Sequence, residues 1–588
     1  MTSPRPLDLV LVWHLHQPDY RDHASGEFML PWVYLHAIKD YTDMAWHLER
    51  HPGMRAVINW VPVLLDQLED YADQFASGNL RDPLLRLLAR DQRAALTEGE
   101  RTLVLDQCLR AANSRMIEPY PAYKHMHELF RTLEAQGGPA LRYLSDHFFY
   151  DLLIWYHLAW TGETVRRESE LVTRLMAIGQ HFEQHHRQEL FRLIGDLVCG
   201  VVGRYARLAE AGRIELSTTP HYHPLAPLLL DFHSAREAQP KALLPEAANY
   251  PGGRERVTAQ LQSALESHAR RFGATPRGVW PAEGSVSAGL LDLLSGNGLA
   301  WAASSEQVLA NSLAAAHHGT QHHGAQRAHY LYRPYRLGSA PDLTLFFRDD
   351  RLSDRIGFEY QKWHGSDAAA NFVGELECIA AEAGQGERPL VSVILDGENA
   401  WEHYPYNAYY FLSALYKALE SHPSIRPTTY DAFLLACSNT NNNNDGAAAA
   451  AGTPPAAMHK LERLVAGSWV YGNFATWIGS SDKNRAWDHL CAAKQSFDLV
   501  KASGRLGKEA LAAAEQQLAD CEGSDWFWWF GDYNPSVSVA SFDRLYRAKL
   551  GNLYRLIGLP LPAALSEPIS HGHGDPEGGG SMRRATES

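Results

Sequence analysis

Apolar positions along the chain follow two rhythms that alternate. Short runs rich in β-branched and aliphatic residues occur at "LDLVLVW" (7–13), "MRAVINW" (54–60), "RIELSTTPHYHP" (213–224), "RGVWPAEG" (277–284), "LAWAASSE" (299–306), "LTLFFRDD" (343–350) and "PLVSVILDGEN" (389–399). Most of these runs end on polar, acidic or histidine residues, and helix-forming sequence follows. Strands alternating with helices predict βα units around a parallel sheet. Polar groups gathered at successive strand ends are what a (β/α) barrel presents at its carboxyl face. A doubly wound sheet alternates similarly, but no glycine-rich dinucleotide loop follows the first strand. Between about residues 80 and 210 the periodicity is helical throughout, which predicts a helical insertion.

The pattern breaks at "CSNTNNNNDGAAAAAGTPP" (437–455), a low-complexity stretch expected to be a linker. Amphipathic helices follow, and the tail from 566 to 588 is expected to be disordered. The expected organisation is thus a catalytic unit over 1–436, the linker, an α-helical C-terminal domain over 456–565 that completes the cleft, and the tail.

Composition changes this picture little. The net charge of −14 provides no basic surplus for phosphates and excludes a general nucleic-acid binder. The six cysteines are scattered with no CxxC pair, which suits reduced thiols. No apolar run reaches membrane-spanning length and the first residues lack a signal-like core, so a cytoplasmic location and no membrane partner are expected. Aromatics are abundant, with 16 Trp, 26 Tyr and 20 Phe. They serve as core packing or as flat platforms for sugar rings.

Candidate chemistry sits at the strand ends. Asp396 and Glu398, two apart in extended backbone, are expected to point the same way. Glu283 ends a different strand. Two carboxylates converging over a barrel mouth provide what glycoside cleavage needs, one attacking the anomeric carbon and the other protonating the leaving oxygen. Each also reads as a helix-start acid stabilised by the dipole. His14 and His16, and likewise His221 and His223, read as hydrogen-bond donors to hydroxyls, as buried rings, or as a metal pair; no third ligand is assignable. "GSWVYGNFATWIG" (467–479) and "DWFWWFGDYNP" (525–535) are aromatic-dense, with Trp469 the better candidate for a cleft and "DWFWW" for interface packing.

Taken in order, "HLHQP" (14–18), "GRIELSTTPHYHP" (212–224), "GVWPAE" (278–283), "LDGENAW" (395–401) and "GSWVYGNFATWIG" (467–479) resemble the five motifs of glycoside hydrolase family 57, particularly its amylopullulanase-like and α-amylase-like members. The resemblance implies an α/β fold, an incomplete (β/α)7 barrel with helical insertions and a helical C-terminal region. It implies a retaining mechanism on α-glucans, with Glu283 as nucleophile, Asp396 as general acid/base, and no metal or other cofactor. His14, His16, Glu215, His223 and Glu398 would then position hydroxyls, and Trp280, Trp401 and Trp469 would shape the cleft. Hydrolysis of α-1,4 bonds is the first expectation, with α-1,6 bonds left open and a 4-α-glucanotransferase or branching enzyme as the alternative. A metal-dependent barrel hydrolase using the histidine pairs is the more distant one.

Overall fold

The computed structural model describes residues 5–90, 95–110, 114–316, 327–383, 387–442 and 454–574. Among these residues ten strands form one sheet: β1 (Leu7–Leu15), β2 (Ala56–Trp60), β3 (Ile214–Thr218), β4 (Gly278–Val279), β5 (Trp301–Ser305), β6 (Tyr335–Leu337), β7 (Ala340–Arg348), β8 (Leu390–Asp396), β9 (Ile425–Thr428) and β10 (His459–Leu461). Seven of them run in the order β7-β5-β4-β3-β2-β1-β8, every neighbouring pair parallel. The sheet is a curled half-barrel. β7 and β8, the ends of this run, share no ladder among the described residues, although the Asp349 N–H just beyond β7 donates to Ser392 O at 2.7 Å.

β1 is buried at all nine positions, as expected of a parallel strand covered on both faces. Its side chains alternate between two cores. Val10 and Val12 join Val57, Trp280, Trp301, Phe346 and Ile394 on the inner face. Leu9, Leu11 and Trp13 meet the surrounding helices. The helix Tyr430–Asn442 closes the amino end of the inner core, stacking Tyr430 on Phe346 at 4.2 Å. Gly278 is required in β4, because a Cβ there would lie 1.7 Å from the Trp301 ring.

Register aligns the chemistry. His14 pairs with Asn59 of β2 and with Asp396 of β8, so all three stand in one row at the carboxyl end of the inner face. One layer lower, Val12 pairs with Val57 and Ile394, and Val57 pairs with Glu215.

Helices fill the stretch between Pro83 and Glu210, and the helices Ser481–Ala502, Lys508–Cys521 and Ser536–Leu556 lie in the C-terminal part. Three boundaries differ from expectation. The helix from Tyr430 runs to Asn442, so the linker cannot begin at 437; residues 443–453 lie outside those described. β10 pairs with β6, so residues 459–461 belong to the sheet, not to a separate helical unit. The chain past 565 is held to residue 574: Ile569 and Ser570 are buried, and the Ile569 N–H donates to Asp543. The short apolar side of that segment docks where the composition of the tail predicts only disorder. No described helix is long and apolar enough to cross a membrane.

Candidate active site

Glu283 follows β4 by four residues and adopts a left-handed backbone conformation, φ 59°. For a residue with a Cβ this costs free energy and persists only where the surroundings fix it. They do so from both sides. The Trp469 N–H donates to Glu283 O at 3.0 Å, and Gly467 and Val286 exchange two backbone hydrogen bonds. The Trp469 indole N–H reaches Glu283 Oε2 at 3.1 Å, and Ser524 Oγ lies 2.9 Å from Oε1. Trp280 supports the Trp469 ring edge-on at 5.5 Å.

Asp396 ends β8, half-buried, with the Asn399 amide donating to Oδ2 at 2.9 Å. Burial, opposed by Asn399, His16 and Arg348, pushes its carboxyl up to about 6. Glu283 is raised to about 8, first by burial and then by the negative charges of Asp525 and Asp396. Two carboxylates from different strands thus lie in one electrostatic neighbourhood, and a third, Asp525, lies close enough to act on both.

His14, His16 and His223 flank these carboxylates, His14 in register beside Asp396 and His223 Nδ1 3.9 Å from Glu283 Oε1. His16 and His223 stack with ring centroids 3.8 Å apart, and His14 Nε2 lies 3.1 Å from His223 Nε2. The other nitrogens are engaged as well: His14 Nδ1 with Asn59 Oδ1 at 2.7 Å, and His223 Nδ1 with Ser524 Oγ at 2.9 Å. Burial lowers the His14 pKa to about 3 and holds His223 well below the usual imidazole range. His16 Nε2 meets both oxygens of Asp525, at 2.9 and 3.0 Å.

Not every expected residue joins this group. Glu215 sits a layer below, its oxygens accepting from the Trp301 indole at 2.7 Å and the Asp431 N–H at 2.9 Å, so it cannot position a sugar at the mouth. Burial raises it to about 7. Glu398 does not share Asp396's direction, because β8 ends at Asp396 and the backbone bends. It turns inward, buried, and accepts from the His16 N–H and the Gln17 amide. Trp401 is 1% exposed, packs on Trp13 and donates to Gly397 O; Trp280 is fully buried. Both tryptophans are walls behind the site, and only Trp469 is partly open.

Four contributors escaped the sequence reading: Asn59, Asn399, Ser524 and Asp525. The polar pair "SD" directly before "WFWW" was the available signal for the last two. Arg348, a fifth, donates to Ile394 O and lies 5.1 Å over the Trp469 ring.

Among the described residues two groups bring metal-ligating atoms together: His16, His223 and Asp525; and Asp19, His23 and Asp520. The first fits an ion poorly. Both nitrogens of His223 are in hydrogen bonds, and lone pairs of stacked rings lie in near-parallel planes that do not converge. The second already holds cations, the Lys549 ammonium against Asp520 and the Arg21 guanidinium against Asp19.

No curated protein sequence matches the chain. In three dimensions it is similar to a GH57-type branching enzyme from the archaeon Pyrococcus horikoshii, with TM-score 0.54 and 16% identity over 97% of this chain and 99% of that one. A GH57 branching enzyme from Thermococcus kodakaraensis matches with TM-score 0.53 and 16% identity over 97% and 98%. An α-amylase from Thermotoga maritima matches with TM-score 0.52 and 14% identity over 94% and 93%. At these identities the likeness is one of fold. The family model for glycosyl hydrolase family 57 matches residues 10–439, most of the chain and all but the last of the aligned motifs, and the chain belongs to that family.

Proposed function

We propose that this protein cleaves α-glucans by a retaining double displacement. The observation that carries this reading is the pair Glu283 and Asp396, delivered from separate strands to one mouth and each in the other's field. Glu283, oriented by Trp469 and Ser524, attacks the anomeric carbon. Asp396 is raised into the range where it holds a proton in mildly acidic solution, and donates it to the leaving glycosidic oxygen. Asp396, now a carboxylate, then takes the proton of the group that resolves the glycosyl-enzyme. His16 and Trp469 line the opening, and Trp469 offers a flat apolar face for a sugar ring.

Hydrolysis of α-1,4 bonds, with α-1,6 bonds in branched substrates, is the first reading. Transfer to a sugar hydroxyl is the second. It is favoured by the architecture that spans two branching enzymes end to end, including the C-terminal helices that deliver Ser524 and Asp525. Chromatography of products from maltoheptaose, amylose and pullulan separates them: short sugars alone mean hydrolysis, and a ladder above the starting length means transfer. Proton NMR of the first product from maltoheptaose tests the mechanism, since retention requires the α-anomer to appear first. Initial appearance of the β-anomer would overturn it.

A further inference from the structure

A nucleophilic Glu283 must be ionised when it attacks, yet with neutral, buried histidines beside it its hydrogen-bond partners favour the opposite state at rest. The assignment starts from a main-chain carbonyl, which can only accept. Thr218 O lies 2.7 Å from Asn59 Nδ2, so that atom is the amide nitrogen, and Asn59 Oδ1 faces His14. His14 Nδ1 therefore carries the proton it donates to Oδ1, and in a neutral ring His14 Nε2 must accept. His223 Nε2, 3.1 Å away, is then the donor, and in a neutral His223, which burial between two other histidines favours, Nδ1 is left as an acceptor. Its partner at 2.9 Å is Ser524 Oγ, whose single hydrogen is committed to that bond. Ser524 Oγ donates to an ionised Glu283, but with its hydrogen held by His223 the 2.9 Å contact to Oε1 needs a proton on Oε1 instead. Glu283 Oε2, accepting from the Trp469 indole, is the carbonyl oxygen of a neutral acid.

We propose that Ser524, His223 and His14 form a proton relay that stores the nucleophile's proton inside the site while Glu283 attacks. This rests on the reading of Glu283 as nucleophile. In the transfer the Glu283 O–H bond breaks, Ser524 Oγ takes that proton while passing its own to His223 Nδ1, and His223 becomes an imidazolium. No proton leaves the site. When the glycosyl-enzyme is resolved the carboxylate is released and reclaims the proton along the same path. The groups facing the relay set its balance. Burial, then Asp525 and Asp396, oppose a charge on Glu283; burial, then His16, oppose one on His223, whose Nε2 hydrogen the neutral His14 ring accepts. The carboxylate and the imidazolium nitrogen would stand 3.9 Å apart, close enough to stabilise one another.

Because the resting and attacking states hold the same number of protons, the acid limb of kcat/KM is not set by loss of a proton from Glu283 to water. Cutting the relay restores that requirement. Ser524→Ala is expected to move the acid limb upward by about one pH unit or more, and Ser524→Thr, which keeps the hydroxyl, to bring it back. A uniform loss at every pH would overturn the relay and leave Ser524 as a structural contact. The resting state is checked without turnover. An infrared difference between wild type and Glu283→Gln at about pH 6 should show a neutral carboxyl C=O band present only in wild type. Its absence would overturn the proposal even if the enzyme acts on maltoheptaose as expected. Its presence in an enzyme inactive on α-glucans would sustain the resting proton and overturn the substrate reading instead.

Discussion

Two buried polar clusters join the sheet to the C-terminal helices, and they are compensated in opposite ways. In one, Asp19, Asp520 and His23 surround two cations. Arg21 forks onto Asp19 at 2.9 and 2.7 Å, and the fully buried Lys549 ammonium binds Asp520 and the Arg21 carbonyl. Against the upward push of burial, Arg21 and Lys549 hold Asp19 well below the usual carboxylate range. In the other, Glu283, Asp396 and Asp525 gather with histidines and hydrogen-bond donors, and no lysine or arginine makes an ion pair with any of them among the described residues. Asp19 and Asp520 are the more deeply buried while Asp396 and Asp525 are partly open, and the cations draw Asp19 down although Asp520 beside it is still pushed up to about 6 by burial. A cluster that satisfies its charges is a joint. One that leaves Glu283 and Asp396 raised with no cation paired to them is where proton-transfer chemistry is expected.

The contrast breaks first on activity. Glu283→Ala should lower kcat on soluble starch on the order of 10⁴-fold, because it removes the reacting atom, with no loss of melting temperature. Near-normal turnover would sink the assignment. The joint should respond in stability. Lys549→Met leaves Asp520 and Asp19 buried with one cation fewer, and should cost about 3–5 kcal/mol of unfolding free energy by urea titration. A neutral result would mean that water reaches the cluster and that it is not a sealed joint.

The third test uses pH. Glu283 has a folded pKa of about 8 against an ordinary value of 4.5. Its stabilising share is complete below the unfolded pKa and is lost as pH rises through the folded one, because the unfolded chain gives up the proton first. Wild type should therefore fall behind Glu283→Gln between about pH 4.5 and pH 8, by on the order of a few kcal/mol. Asp19, whose folded pKa is lowered, should act in the opposite sense: its share is present above the unfolded pKa and lost in acid. A Glu283→Gln difference that stays constant with pH would remove the case for an uncompensated site.

How far these regions were legible in the sequence follows from the range of the signals. Strand ends such as Asp396 and Glu283 announce themselves locally, because an apolar run stops on an acid. Parity and layer do not. Glu215 is on the correct face of β3 but pairs with Val57 where Asn59 was needed, and that two-residue difference is set by register across strands. Glu398 follows a bend that extended-strand spacing cannot anticipate. Ser524 and Asp525 reach the mouth from a helix more than two hundred residues beyond Glu283, so only tertiary packing brings them there.

The tryptophans give the finest test of the contrast, since three were expected to shape the cleft and only one is open to it. Trp469 donates to Glu283 Oε2, and its ring lies between Trp280 and Arg348. Trp469→Phe keeps most of the ring and removes one donor to the carboxyl, which is worth about tenfold in kcat/KM. The loss should grow when Glu283 is charged, because a hydrogen bond to an anion is the stronger one. Trp401 donates to Gly397 O and meets Trp13 edge-on, away from substrate. Trp401→Phe should therefore cost about 1 kcal/mol of stability and leave KM for maltoheptaose within roughly twofold. If Trp401→Phe raised KM as much as Trp469→Phe, the cleft would extend past the wall these residues form. The division between packing and binding tryptophans would then be wrong.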